Sequence, residues 1–156
     1  DSKVVDCQAG YESGMMNLLV AMSGANYIHD AAGLMEFDLT VSYEKLVIDD
    51  DIIGMCLRVL RGIEVNDETL GLGLIEEIGP GGDFLAQEHT VAHMRSEFVE
   101  PAVTDRQNRD KWAQDGKQDS WQRAHKQVSK ILAEHQPQGF SAEIDKEIRA
   151  RFKHIR

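Results

Sequence analysis

Basic residues are scarce in this chain. Only 17 lysines and arginines stand against 27 aspartates and glutamates, for a formal charge of −10 and a pI near 5.0. Nucleic-acid binding needs lysine and arginine to meet phosphates, so this balance argues against it. Cysteine is nearly missing too. Cys7 and Cys56 are the two, both in apolar stretches and neither in a metal or redox spacing. They read as reduced core thiols of a cytosolic protein. No run approaches the ~18 apolar residues of a membrane span. The acidic N-terminus lacks the basic-then-apolar plan of a signal peptide. There is no initiating methionine, from which a fragment or a processed chain is expected. Internal repeats and low-complexity stretches are missing as well.

What remains is ordinary globular material. At 156 residues, 42% hydrophobic and 28% charged, the chain has room for one domain with a real core. Charge is unevenly placed. Tyr43–Glu77 carries Asp49, Asp50, Asp51, Glu64, Asp67, Glu68, Glu76 and Glu77 against few bases, while Arg149–Arg156 is basic. This pattern reads as a solvated acidic face and a basic last helical turn.

The first forty residues differ from the rest. Lys3–Cys7, with Val4-Val5 at its centre, reads as a short buried strand that Gly10 ends tightly. Tyr11–Gly24 reads as a helix with Met15, Leu18, Leu19 and Met22 on one face and Gly24 at its C-cap. Ala25–His29 reads as a second strand, parallel to the first. From about Val41 onward the pattern is helical. Ser42 caps a short turn through Leu46, and Asp49-Asp50-Asp51 favours a helix N-terminus followed by Ile52, Ile53, Cys56, Leu57 and Leu60. Asn66-Asp67-Glu68 opens another helix, with Leu70, Leu74, Ile75 and Ile78 inward, that breaks at Gly79-Pro80-Gly81-Gly82. Glu88–Phe98 is helical and stops before Pro101. Asp105 caps a segment to Gly116, and Asp119 caps the longest helix, with Trp121, Ala124, Val128, Ile131 and Leu132 buried. Ser141 caps a last helix with Ile144, Ile148 and Phe152 inward.

The fold class expected is α/β: the C-terminal part of a β/α (TIM-type) barrel with a mainly helical extension. Residues 1–104 would be the last β/α units with helical cover, and 105–156 a helical arm. Two parallel strands leave open edges, so uncovered apolar faces are expected to be met by self-association in a homo-oligomer. In such folds chemistry sits where strands end. That singles out Gln8, Tyr11, Glu12, His29 and Glu36. His29 ends an apolar run and is either a site residue or a core histidine bonded to backbone. Gln8 is either its counterpart one unit earlier or a turn residue capping the next helix. Glu12 either offsets a cation or is a first-turn acid, and Tyr11 offers an aromatic face. Glu36 is a pocket carboxylate or a solvated loop charge.

His89 and His93 stand at i, i+4, a zinc-ligand spacing. Thr90 follows the first histidine where a zinc protease carries glutamate, and the sequence reveals no third ligand. They read as helix-surface histidines that pack or hydrogen-bond, and no metal is expected. Gly79-Pro80-Gly81-Gly82 lacks the Gly-Lys-Ser/Thr ending of a phosphate loop and reads as a turn.

Several segments taken together resemble one family: Asp6–Glu12 (DCQAGYE), Ser23–Met35 (SGANYIHDAAGLM), Ser42–Gly62 (SYEKLVIDDDIIGMCLRVLRG) and Gly79–Leu85 (GPGGDFL). His89-Thr90 with His93, and Asp105-Arg106 with Trp112 and Gly116, complete the set. They resemble the trimethylamine methyltransferase family, corrinoid-dependent methyltransferases that include glycine betaine methyltransferases. The match runs in order through essentially the whole chain. Family members are considerably longer, so the chain looks like the C-terminal part of one.

The resemblance implies a β/α barrel in which a methylated amine or quaternary ammonium gives a methyl group to the Co(I) corrinoid (cobalamin) of a separate corrinoid protein. It adds to the strand-end reading at His29, which is expected as the catalytic residue, with Gln8, Tyr11, Glu12 and Glu36 expected as substrate-binding from their place at strand ends, and it implies no tightly bound cofactor. Trimethylamine enzymes of the family carry pyrrolysine at an amber codon. None can be placed here, and its position is expected upstream of Asp1. A quaternary ammonium has no N–H to donate, so aromatic faces and carboxylates must recognise it. The alternative is a non-catalytic interaction module binding a corrinoid protein or partner subunit.

Overall fold

Asp6 decides how the chain begins. Its carboxylate accepts the Ala9 amide at 3.2 Å and caps α1, Cys7–Met22. A computed structural model describes residues 1–154. The expected strand at Lys3–Cys7 is therefore absent. Ser2 Oγ bonds Val4 O at 2.5 Å and Asp6 Oδ1 at 3.1 Å, which folds the segment into a turn and leaves Val4 exposed. Gly10, expected to end a strand, lies inside α1. Ala25–His29 is no strand either. The chain leaves α1 through left-handed Gly24 (φ +92°) and runs as an exposed loop with no ladder partner.

The sheet that does form is antiparallel and small. Strand β1, Leu34–Met35, pairs with β2, Thr40–Val41, in the register Leu34↔Val41 and Met35↔Thr40. Glu36, Phe37 and Asp38 reverse the chain between them at φ 52°, 55° and 63°. Three consecutive left-handed non-glycine residues are disfavoured, and each costs on the order of 1–2 kcal/mol. The parallel β-α-β unit is thus corrected to a helix, a loop and a hairpin, in a chain that is otherwise helical.

The remaining elements are α2 (Tyr43–Arg61), α3 (Asp67–Leu70), α4 (Leu72–Ile78), α5 (Glu88–Met94), α6 (Arg109–Gln114), α7 (Ser120–Glu134) and α8 (Ala142–Arg151). Ser42 caps α2 by accepting the Lys45 amide at 3.2 Å, and the helix runs on without a break. Asp49-Asp50-Asp51, expected at a helix start, is consequently mid-helix. Asn108, not Asp105, caps α6, whereas the caps Asp119 and Ser141 stand as expected. The longest helix is α2, not α7. No helix among the described residues is long and apolar enough to cross a membrane.

Helix α2 packs against α1 on one side and α7 on the other. Gly14 faces α2, where a Cβ would make an ordinary 3.9 Å contact with Ile52 Cγ2. Ala124 and Val128 are the buried residues of α7. Trp121, Ile131 and Leu132, expected inside, are largely exposed, as are Ile144 and Phe152 on α8. The core is small and partly polar. Ala9, Met35, Cys56, Val103, Ala124 and Val128 share it with Ser2, Asn17, Lys45, Asp49 and Asp51. Burial pushes the Cys56 thiol up, but Cys7 is exposed, contrary to its reading as a core residue.

Asp51 shows how a buried carboxylate is kept. It accepts the amides of Ala102 (2.6 Å), Val103 (2.9 Å) and Thr104 (2.7 Å), plus the Thr104 hydroxyl (2.9 Å), tying 102–104 to α2. Burial pushes its carboxyl up, but these four donors outweigh that and hold it below the ordinary aspartate value. A carboxyl depressed in the folded state stabilises above its unfolded pKa, and that contribution disappears as pH falls through the folded value. Urea unfolding midpoints should therefore drop on acidification below about pH 4. Asp51→Asn should flatten that dependence. An equally steep fall in the variant would show that Asp51 is not its source.

Candidate functional site

Two places in the structure bring chemistry-bearing groups together. The first lies where α1, α2 and the loop 23–42 meet. Lys45 and Asp49, one turn apart on α2, form an ion pair of 2.6 Å with side chains 6% and 1% exposed. Lys45 Nζ also donates to Ser13 Oγ on α1 at 2.7 Å, and Asp49 Oδ2 accepts the Gly33 amide at 2.8 Å. Asn17 Nδ2 donates to Ala31 O at 2.9 Å. These bonds hold the loop against the helix pair. Asp49 Oδ1 is buried without a hydrogen-bond partner. It belongs to a residue lining a groove of about 530 Å³ that also includes Tyr11, Asp6, Asp119 and Trp121. Two aromatic rings and three carboxylates against one ammonium suit a small cation.

The expected site residues scatter around this meeting point. Gln8 and Glu12 are neighbours on α1, with Gln8 Nε2 donating to Glu12 Oε1 at 2.7 Å. Glu12 also accepts the Ser2 amide at 3.0 Å. Glu12 and Asp30 line one small cavity of about 150 Å³, whereas Tyr11 faces the larger groove. Glu36 accepts the Thr40 hydroxyl at 2.6 Å within the hairpin turn.

His29 sits on the exposed loop, 74% accessible, with Nδ1 2.5 Å from Asp30 Oδ2. It is neither a strand-end residue nor a core histidine. Asp30 is a left-handed non-glycine residue (φ 54°), so the loop with His29 and Glu36 holds four such positions. Strained backbone of this kind persists only where surrounding bonds over-determine it, and it concentrates at functional sites.

The second place joins α3 to α5. The Asn66–Thr69 capping box fixes the four-residue α3, and with it Glu68. His93 Nε2 lies 2.8 Å from Glu68 Oε1, and His89 Nε2 lies 3.0 Å from the Glu68 carbonyl oxygen. Both face acceptors and therefore donate. The His93 hydrogen bond holds the Glu68 carboxyl below the usual carboxylate range.

Comparison with known proteins decides the family. The sequence profile described as trimethylamine methyltransferase (MTTB) matches residues 1–155. The chain belongs to the trimethylamine methyltransferase family. It is 39% identical to a glycine betaine methyltransferase of Desulfitobacterium hafniense over 96% of its length and 31% of that relative's. It is 40% identical to the trimethylamine methyltransferase MttB of Methanosarcina barkeri, over 96% of the chain and 30% of that protein. A Desulfitobacterium hafniense MttB is 35% identical with the same coverage. The chain thus spans about 30% of the length of the curated relatives it matches.

Within this family member, sequence reasoning missed Lys45, Asp49 and Glu68. The first two carried a legible signal. A cap at Ser42 with no proline before Gly62, and Gly54 as the single interior glycine, allows one helix, and Lys45 and Asp49 then fall at i, i+4 inside it. Glu68 carried none, since it lies 21 and 25 residues before the histidines it meets.

Proposed function

We propose that this chain is part of a corrinoid-dependent methyltransferase that moves a methyl group from a methylated amine or quaternary ammonium to the Co(I) corrinoid of a cognate corrinoid protein. The family match over residues 1–155, with relatives named for trimethylamine and glycine betaine, carries this reading. Methyl transfer of this kind is a displacement. A corrinoid presented by the partner protein would supply the nucleophile for the methyl carbon, and the amine nitrogen would keep the bonding pair. The groove, about 530 Å³ and lined by acids, a lysine and two aromatics, does not fit a corrinoid macrocycle. The cofactor stays with the partner protein.

The residues of this chain position the substrate cation. Tyr11 offers a ring face from the larger groove without asking for an N–H, while Glu12 and Glu36 supply negative charge from separate positions around it. Gln8 and the His29–Asp30 pair orient the substrate's polar end, and His29 acts at the catalytic position. The TIM-type barrel implied by the resemblance would take its strands from the part of the relatives' length that this chain does not span. Residues 1–104 would then cover the barrel, and 105–156 would form the arm. The protein works in the cytoplasm.

Helix α1 supports this placement. Tyr11, Met15, Met16, Leu19 and Met22 are all more than half exposed, so one broad apolar face of the helix is uncovered. Such a face is built to be buried, here by the rest of the enzyme or by a second copy in a homo-oligomer. The same surface favours the second reading, an interaction module that docks a corrinoid protein without catalysing. A methyl-transfer assay separates the two. The intact protein is mixed with cob(I)alamin and, in turn, trimethylamine, glycine betaine, proline betaine and carnitine. Enzyme-dependent methyl-corrinoid formation with at least one amine is expected. No spectral change with any of them, together with retained binding of a corrinoid protein, would leave the module.

A further inference from the structure

We infer that Glu68, His89 and His93 form a binding site for a divalent transition metal, of which zinc is the natural occupant, and that the metal clasps α3 to α5. One ligand atom from each residue lies within 4.8 Å of the other two. Glu68 Oε1 is 2.8 Å from His93 Nε2 and 3.7 Å from His89 Nε2. In a tetrahedral zinc site with bonds of about 2.0–2.1 Å, ligand atoms stand about 3.3 Å apart. The two separations bracket that value.

The scaffold holds the set in place. The i, i+4 spacing on α5 brings the two imidazoles to 4.5 Å between ring centroids, tilted by 51°. The capping box presents Glu68 from the facing turn. Gly71, left-handed at φ +60°, turns the chain directly after α3, and a Cβ there would stand 3.8 Å from His89 Nε2. Two imidazoles and a carboxylate select zinc-like ions over magnesium or calcium, which prefer all-oxygen shells. The cluster opens on a cavity of about 250 Å³ that Glu64 and Glu97 also line. Glu97 is already paired with Arg58 and Arg61, so the fourth position falls to water or a small ligand.

The surrounding layer also calls for a clasp. None of α3, α4 and α5 has a buried residue. Helices of four to seven residues with no apolar anchor do not hold by propensity alone. A metal tie supplies what burial does not.

The test is zinc binding by the intact protein, stripped with chelator and titrated with Zn²⁺ against a chromophoric competitor. Wild type should bind with the His89/His93 site contributing one equivalent per chain, and zinc should raise its Tm. His89→Ala and His93→Ala should each lose that equivalent, with affinity down by more than the roughly 10–100-fold that follows loss of a mere supporting contact. Glu68→Gln keeps the side-chain shape and should weaken binding at least tenfold. Far-UV circular dichroism of the metal-free variants checks that they fold, and Co²⁺ in place of zinc should give a tetrahedral visible spectrum that the variants lack. Absence of a stoichiometric equivalent in wild type, or its survival in folded His89→Ala and His93→Ala, overturns the site. Neither result depends on methyl transfer.

Discussion

Asp49→Ala should lower unfolding stability by about 3–5 kcal/mol, because it leaves the Lys45 ammonium buried without its counter-charge. The carboxylate also holds the Gly33 amide at 2.8 Å, so the loop loses its tie to α2 in the same step. Its neighbours make internal controls. Asp50 is exposed, and Asp50→Ala should fall within about 0.5 kcal/mol of wild type. Removing both charges is a different matter from removing one. The double variant Lys45→Met with Asp49→Leu fills similar volume without ions, and should recover most of the loss, since buried pairs contribute little net stability. Urea unfolding of the four proteins reads all three comparisons. A loss for Asp49→Ala no larger than for Asp50→Ala would mean that the pair is not buried in solution.

On the proposed function, His29→Ala in the full-length protein should reduce methyl transfer by on the order of a hundredfold, the usual loss when one positioning or charge-stabilising contact disappears. The structure sharpens this expectation. A core histidine would lower Tm on removal and leave turnover per folded molecule unchanged. His29 is 74% exposed and paired only with its neighbour Asp30, so little stability should be lost. Rate and thermal unfolding measured on one preparation therefore point the same way: activity falls and Tm stays. Unchanged specific activity would take His29 out of the site. His93→Ala, assayed in parallel, separates the loop from the α3–α5 cluster, because His29 pairs with Asp30 and His93 with Glu68.

The difference between sequence expectation and structure is clearest at two acidic clusters. Asp49-Asp50-Asp51 looks like a helix start because acids are favoured there. Ser42 instead caps the helix seven residues earlier, which turns Asp49 and Asp51 inward and Asp50 outward. Val4-Val5 looks like a strand because β-branched pairs favour one, yet the Asp6 cap and the Ser2 turn commit the segment to a helix entrance. Strands depend on a partner that local sequence does not name. Caps act within three or four residues and are read directly, as Asp119 and Ser141 were.

By itself the sequence determined the family, the helical character after Val41, several caps and the acidic balance, because these rest on local chemistry or on residue order. Only the tertiary structure decided which side chains meet. It drew Lys45 and Asp49 into the core, put His29 on an exposed loop, and carried Glu68 across more than twenty residues of chain to His89 and His93. Those outcomes turn on how helices pack and where loops return. Periodicity along one segment holds no information about the segment it will touch.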